Sequence, residues 1–131
     1  MRGRINLRDS SGALAVEFAL IAPVFILALI GGFQLAWSLH CAATVRWALE
    51  TSARNLMLDP TESATTLKAN MVSLLNGRAT ASNLAVTITT DTSSPAGKLL
   101  VASSTYSTTL VVPFLSDTPL VFNASTSVPA L

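Results

Sequence analysis

The sequence predicts an α+β protein in which a long N-terminal transmembrane helix continues into an exported domain with a short amphipathic helix and a three-stranded antiparallel sheet. Two observations lead to this fold class. No Asp, Glu, Lys or Arg occurs from Phe18 to Val45, and apolar residues continue at helical spacing beyond that run. From Leu84 onward, apolar residues instead alternate with Ser and Thr, which is typical of half-buried strands.

We divide the chain into a cytoplasmic leader (residues 1–12), a transmembrane helix (13–39) and an exported α+β domain (40–131). At about 1.5 Å per residue, the uncharged run is long enough to cross about 30 Å of hydrocarbon. Three arginines and one aspartate precede it, and a positive flank stays in the cytoplasm. A signal peptide cleaved after the run is the weaker interpretation, because the run is too long.

Two features interrupt the regularity of the membrane helix. Pro23 removes one backbone hydrogen bond and crowds the preceding turn, so we expect a kink or local melting there. Gly31 and Gly32 form a second weak point and leave a smooth surface on which a neighbouring helix can pack.

Beyond the run, the periodicity predicts that the same helix leaves the membrane and buries one stripe of side chains. The stripe consists of Val45, Leu49, Ser52 and Leu56. Arg46 and Glu50 lie four residues apart on another face, where an exposed ion pair contributes about 0.3 to 0.5 kcal/mol.

A second helix is expected to start at Asp59, with Pro60 in its first turn and Glu62 completing a capping box. Its apolar face would consist of Ala64, Leu67, Met71, Leu74 and Leu75. Asn76 and Gly77 favour a left-handed end to this helix.

Three alternating segments follow and predict the strands of an antiparallel meander. Their core-facing residues start at Leu84, Leu100 and Leu120. The loop from Asp91 to Lys98 separates the first two strands, and the segment from Pro113 to Pro119 separates the last two. The helical stripe and the second helix are expected to cover the apolar face of this sheet.

Composition argues against several classes of function. The net charge is +1, and no basic patch suits a row of phosphates, so we expect no nucleic-acid partner. His40 is the only histidine and Cys41 the only cysteine, so no multi-histidine metal site or internal disulfide is expected. No phosphate loop or dinucleotide motif occurs. We therefore expect no enzyme activity, cofactor or small-molecule substrate.

Glu17 is the residue that this interpretation leaves without an explanation. An ionised carboxylate on a lipid-facing surface costs at least a few kcal/mol. One interpretation is an acid tolerated near the membrane end. The other requires a cation: cleavage between Gly12 and Ala13 would create an α-amine one helical turn away, and that amine in a neighbouring, axially shifted subunit could meet the carboxylate.

The leader ending in Gly12, the Gly-Ala-Leu-Ala-Val-Glu-Phe start, Pro23 and the helix-then-strands order resemble prepilin-type proteins. Within that group, the chain is similar to TadE-like minor pilins (pseudopilins) of the Tad/Flp type IVc pilus. The specific motif lies in Gly12 to Pro23. Phe18 and a sizeable exported domain favour the minor class over the major Flp pilin, which is shorter and has Tyr after Glu.

The resemblance implies that a prepilin peptidase cleaves after Gly12, that Ala13 becomes the mature N-terminus and that Glu17 registers subunits. The implied partners are the membrane, other Tad/Flp pilins and assembly-platform proteins. The implied location is the bacterial inner membrane, with the C-terminal domain periplasmic or extracellular. The implied function is pilus assembly for adhesion, biofilm or secretion. The alternative is a single-pass, membrane-anchored extracytoplasmic binding module.

Overall fold

The computed structural model describes residues 10–95, 97–114 and 116–130. The expected leader, up to residue 9, and its arginines lie outside the described residues. The helices are α1 (Ser10–Ala53), α2 (Asn55–Leu58) and α3 (Ala64–Leu75). The strands are β1 (Leu84–Asp91), β2 (Leu99–Leu110) and β3 (Thr118–Pro129). This α+β architecture confirms the predicted fold class.

Helix α1 is a 44-residue helix that includes the apolar run and three residues of the predicted stripe, Val45, Leu49 and Ser52. The fourth, Leu56, lies in the short helix α2 that follows. The four residues of the stripe are all buried, with Leu49 and Leu56 at 0% exposure. The prediction that the helix continues past the apolar run is therefore confirmed. Arg46 and Glu50 form the expected exposed pair, with 3.0 Å between Nε and Oε1.

Helix α3 begins later than the sequence suggested. Asp59, Pro60 and Glu62 precede it, and Ser63 is the N-cap, because its hydroxyl accepts a hydrogen bond from the Thr66 amide. Asp59 instead accepts hydrogen bonds from the amide and hydroxyl of Thr61. Such a local turn competes with helix formation, so the predicted capping box at Asp59 is wrong.

The apolar face and the end of α3 agree with the sequence pattern. Leu67, Met71 and Leu75 are fully buried, whereas Leu74 is 36% exposed at the edge of the face. Asn76 adopts the left-handed conformation, with φ at 46°, and Gly77 follows with φ at 83°. Asn and Gly are the residues that accept this conformation most readily, so the predicted helix end is confirmed.

The sheet has the order β1-β2-β3, with both pairs antiparallel. Buried and more exposed residues alternate along β2, where Leu100, Ala102, Ser104 and Tyr106 face the core. The expected loop ended at Pro119, but β3 already begins at Thr118 and pairs Pro119 with Thr109. Because β3 is an edge strand, the missing proline N–H leaves no ladder bond unmade.

The core lies between the C-terminal part of α1, α3 and one face of the sheet. Helix α1 packs against β2 and β3, and α3 packs against α1 and β1. The opposite face of the sheet is lined largely by Ser and Thr, including Thr87, Ser103 and Ser125. Burial of the helical stripe therefore orients the α+β domain on α1.

Leu49→Ala is expected to lower the free energy of unfolding of the α+β domain by about 2 to 5 kcal/mol, because it leaves a cavity beneath the sheet. Urea unfolding in detergent micelles, followed by near-ultraviolet circular dichroism, measures this loss.

Leu58→Ala is the matched control, because Leu58 is 87% exposed. It should change stability by no more than about 0.5 kcal/mol. Equal losses in the two variants would contradict the position of the core.

Candidate functional site on the N-terminal helix

The N-terminal part of α1 is apolar and exposed around its whole circumference. Val24, Phe25 and Ile26 are 67%, 62% and 53% exposed, and successive helical residues point about 100° apart. The most apolar stretch of the helix has no buried residue. A core helix of a soluble protein would be covered, so the exposure supports a single-pass membrane anchor.

Glu17 lies on this exposed part of the helix. Its neighbours one turn away are Leu14, Leu20 and Ile21, which are 66%, 72% and 65% exposed. Within the part of the chain that the structure describes, Glu17 makes no hydrogen bond or ion pair. The carboxylate is thus the polar centre of an otherwise apolar surface, as its sequence position suggested.

Gly12 and Ala13 lie in the first turn of α1. The first four amides of a helix have no acceptor within it, and no acidic residue stabilises this turn. The peptide bond between Gly12 and Ala13 therefore lies where the helix is easiest to unwind. A Cβ placed on Gly12 would meet nothing within 4 Å, so the backbone is open to a partner here.

Pro23 lies inside α1, and the helix continues through it. The local melting that we expected is therefore not seen. Neighbouring turns retain their hydrogen bonds when one proline removes a single donor, which is common in membrane helices. The kink remains a prediction.

The two adjacent glycines have different surroundings. A Cβ on Gly31 would lie 3.5 Å from Cγ2 of Val112, whereas a Cβ on Gly32 would meet nothing within 4 Å. Val112, in the chain's own β2–β3 connection, therefore packs against Gly31. Only Gly32 is left as the smooth outer surface that the sequence suggested for a neighbouring helix.

Gln34 joins the helix to the end of β2, a contact that sequence reasoning missed. Its Nε2 donates to the Val111 carbonyl at 2.6 Å, and its Oε1 accepts from the Val111 amide at 2.9 Å. A polar residue inside an apolar run was the available signal. Its partner lies 77 residues away in sequence, and no local pattern identifies it.

The aromatic and titratable residues beyond the apolar run have structural surroundings. His40 is exposed beside Trp37, with ring centroids 5.9 Å apart, and Cys41 is buried in the core. Burial, followed by the adjacent Cys41, raises the pKa of Tyr106 above its ordinary value near 10.

Asp59 and Asp91 each lie in a local turn. The hydroxyl and amide of Thr61 lower the pKa of Asp59, and those of Ser93 do the same for Asp91. Among the described residues, no group of three His, Cys, Asp or Glu side chains is placed to hold a metal ion. The most distinctive chemical feature of the described residues is Glu17, an acid on an otherwise apolar and exposed stretch of α1.

The fold and the site define a class: a protein with one exposed apolar N-terminal helix, an acid near the start of that helix, and a small α+β domain packed on its other end. Residues 12–54 match the model of the TadE-like protein family. This match confirms the TadE-like resemblance over that segment, and it is consistent with a TadE-like, pilin-related protein of the Tad system. No curated protein and no solved structure gives a significant match.

Gln34→Met keeps the length of the side chain and removes both hydrogen bonds to Val111. A net hydrogen bond contributes about 0.5 to 1.5 kcal/mol, so the Val111 amide should exchange with solvent at least about tenfold faster. Hydrogen–deuterium exchange in detergent micelles measures this rate.

Ser38→Ala is the control, because the Ser38 hydroxyl donates to the Gln34 carbonyl within the same helix. It should leave the exchange rate of Val111 unchanged. Unchanged exchange in Gln34→Met would show that this residue does not hold the end of β2.

Proposed function

We propose that the chain is a minor pilin, or pseudopilin, that a prepilin peptidase processes after Gly12 and that takes part in assembly of a Tad/Flp pilus. The observation that carries this proposal is Glu17, an exposed acid on a bare apolar helix within the segment that matches the TadE-like family. The family match supports association with the Tad pilus. Processing and subunit registration rest on the arguments that follow.

The first argument is the cost of an unpaired carboxylate. Glu17 is surrounded by exposed Leu14, Leu20 and Ile21, so insertion of the helix would bring the acid close to hydrocarbon. An ionised acid there costs at least a few kcal/mol unless a cation pairs with it. Pairing with another subunit removes this cost only when subunits assemble, which makes Glu17 suited to guiding assembly.

The second argument is the position of the proposed cation. Cleavage after Gly12 would leave the α-amine on Ala13, four residues before Glu17. Four helical residues correspond to an axial distance of about 6 Å. A neighbouring helix displaced by about that distance would bring its amine level with the Glu17 carboxylate, so one ion pair would specify the stagger between subunits.

The third argument is the division of α1 into two parts. The apolar part up to Ile30 is largely exposed, whereas Val45 and Leu49 are buried in the core of the α+β domain. The helix can therefore bundle with other helices through one end while it presents the α+β domain at the other. With the positive leader in the cytoplasm, the domain would lie on the periplasmic or extracellular side of the inner membrane.

Adhesion, biofilm formation and secretion are the processes that such a pilus would serve. The partners would be the prepilin peptidase, other Tad/Flp pilins and assembly-platform proteins. We propose no catalytic role, cofactor or small-molecule substrate for the chain. The alternative is an anchored binding module, and the open Ser- and Thr-rich face of the sheet supports it. This alternative requires no function of Glu17.

Cleavage can be tested by intact mass spectrometry of the protein extracted from membranes of cells that co-express a prepilin peptidase. We expect the mass to correspond to a chain that begins at Ala13. Gly12→Leu should retain residues 1–12, because a bulky side chain occupies the open approach to the scissile bond.

Gly32→Ala is the control substitution, since Gly32 is also open to its surroundings but lies far from the proposed cut. It should be processed normally. Recovery of the uncut wild-type chain from cells with an active peptidase would refute the proposed processing.

Glu17→Ala should leave the exported domain folded but reduce recovery of the chain with its partner pilins by at least about tenfold. The physical reason is that loss of one partner of a buried ion pair costs about 3 to 5 kcal/mol. Co-purification of the processed chain with the other Tad/Flp pilins measures the effect.

Glu50→Ala removes an acid from the same helix, but that acid makes an exposed pair with Arg46. This control should assemble normally. If Glu17→Ala also assembles normally, the anchored binding module becomes the better interpretation.

A further inference from the structure

The end of β2 continues into a short apolar segment, residues 111–114, which we call the β2–β3 tip. Val111 is 51% exposed and Phe114 is 96% exposed. Burial of a Phe side chain is favourable, and the almost fully exposed Phe114 ring obtains none of this burial from its own domain. Its backbone adopts φ of 68°, a conformation uncommon for a bulky residue.

The tip lies against the membrane-facing part of α1. Gln34 holds Val111 through two hydrogen bonds, and Val112 reaches the open side of Gly31. The other end of β2, at Leu99, lies near Arg46 and Glu50 of α1. The strand therefore runs back along α1 toward the apolar part of that helix, and the tip is the part of the domain that reaches furthest in this direction.

The depth of the tip relative to the bilayer follows from the length of the helix. About 20 helical residues cross 30 Å of hydrocarbon. If the hydrocarbon layer starts at Glu17, the next ~20 residues of the helix end at Trp37, which then lies at the outer surface of that layer. Trp is enriched at this membrane–water boundary. Gln34 lies one turn below Trp37, toward the membrane interior. The contacts of Val111 with Gln34 therefore place the tip within the outer interface of the bilayer.

The hydrogen bonding of Val111, at the start of the tip, suits an apolar environment. Both backbone polar groups of Val111 are paired with the Gln34 side chain, and Pro113 has no N–H to satisfy. Unpaired backbone groups are costly in lipid, where water is absent. The same pairing would bring little advantage at a surface exposed to water. Gln34, a polar residue inside the apolar run, thus has a defined role.

We propose that the β2–β3 tip inserts into the outer interface of the membrane that α1 crosses, with the Phe114 ring among the lipids. The domain then has two contacts with the bilayer, and the second restricts its tilt and rotation about α1. This proposal rests on α1 as the membrane anchor and is independent of cleavage or pilus assembly.

The test uses the full chain in phosphatidylcholine vesicles, with a nitroxide spin label attached at Phe114→Cys. Power-saturation measurements compare its accessibility to oxygen, which concentrates in lipid, and to a water-soluble nickel chelate. We expect several-fold higher oxygen-to-nickel accessibility at position 114 than at Thr92→Cys. Thr92 is an exposed residue of the loop at the other end of the sheet.

The substitutions do not disturb packing, because the two labelled side chains are exposed. Cys41 is 1% exposed, and the unsubstituted chain serves to show that it takes up no label. Equal nickel accessibility at positions 114 and 92 would overturn the proposal. Shielding of position 114 from both reagents would also overturn it, because a protein neighbour would then cover the tip.

A third label at Leu29→Cys separates failure of the tip from failure of the anchor. Leu29 is 57% exposed on the apolar part of α1. Oxygen access at Leu29 together with water access at Phe114 would reject the tip alone. Water access at both positions would reject the anchor itself, and the tip proposal with it.

Discussion

The packing of the whole molecule relies on burial of the Val45–Leu56 stripe, which begins on the C-terminal part of α1 and ends in α2. Leu49 and Leu56 are completely buried, and both the sheet and α3 pack against this part of the helix. A three-stranded sheet with one open face has little stability of its own. The helix that carries the exposed apolar segment is therefore also the main hydrophobic support of the α+β domain.

This dual use of one helix constrains how the molecule can function. Because α1 is continuous from Ser10 to Ala53, a shift or rotation of the membrane part is transmitted directly to the domain. An ion pair at Glu17 would then determine the position of the sheet as well as that of the helix. The proposed contact of the β2–β3 tip with lipid would also affect the position of the sheet, because it limits rotation of the domain about the axis of α1.

The Gln34 pair shows how the domain and the anchor are coupled at their boundary. We had expected the exported domain to begin at residue 40, yet its contacts reach down the helix to Gln34 and Gly31. The turns around Gly31 and Gln34 therefore belong both to the apolar segment and to the contact surface of the domain. A neighbouring helix that packs on α1 would have to use the open side that includes Gly32.

The sequence by itself determined the features that depend on local spacing. The period of the stripe, the alternation from Leu84, the Asn76–Gly77 helix end and the position of Glu17 are all visible in consecutive residues, because backbone geometry repeats over one turn or one pair of residues. The start of α3 was mispredicted, because two capping sites, Asp59 and Ser63, compete within five residues. Only the tertiary structure shows that Val111 hydrogen-bonds to Gln34 and that Val112 packs against Gly31. Those contacts join segments that are far apart in the chain, and they require the sheet to be packed against α1.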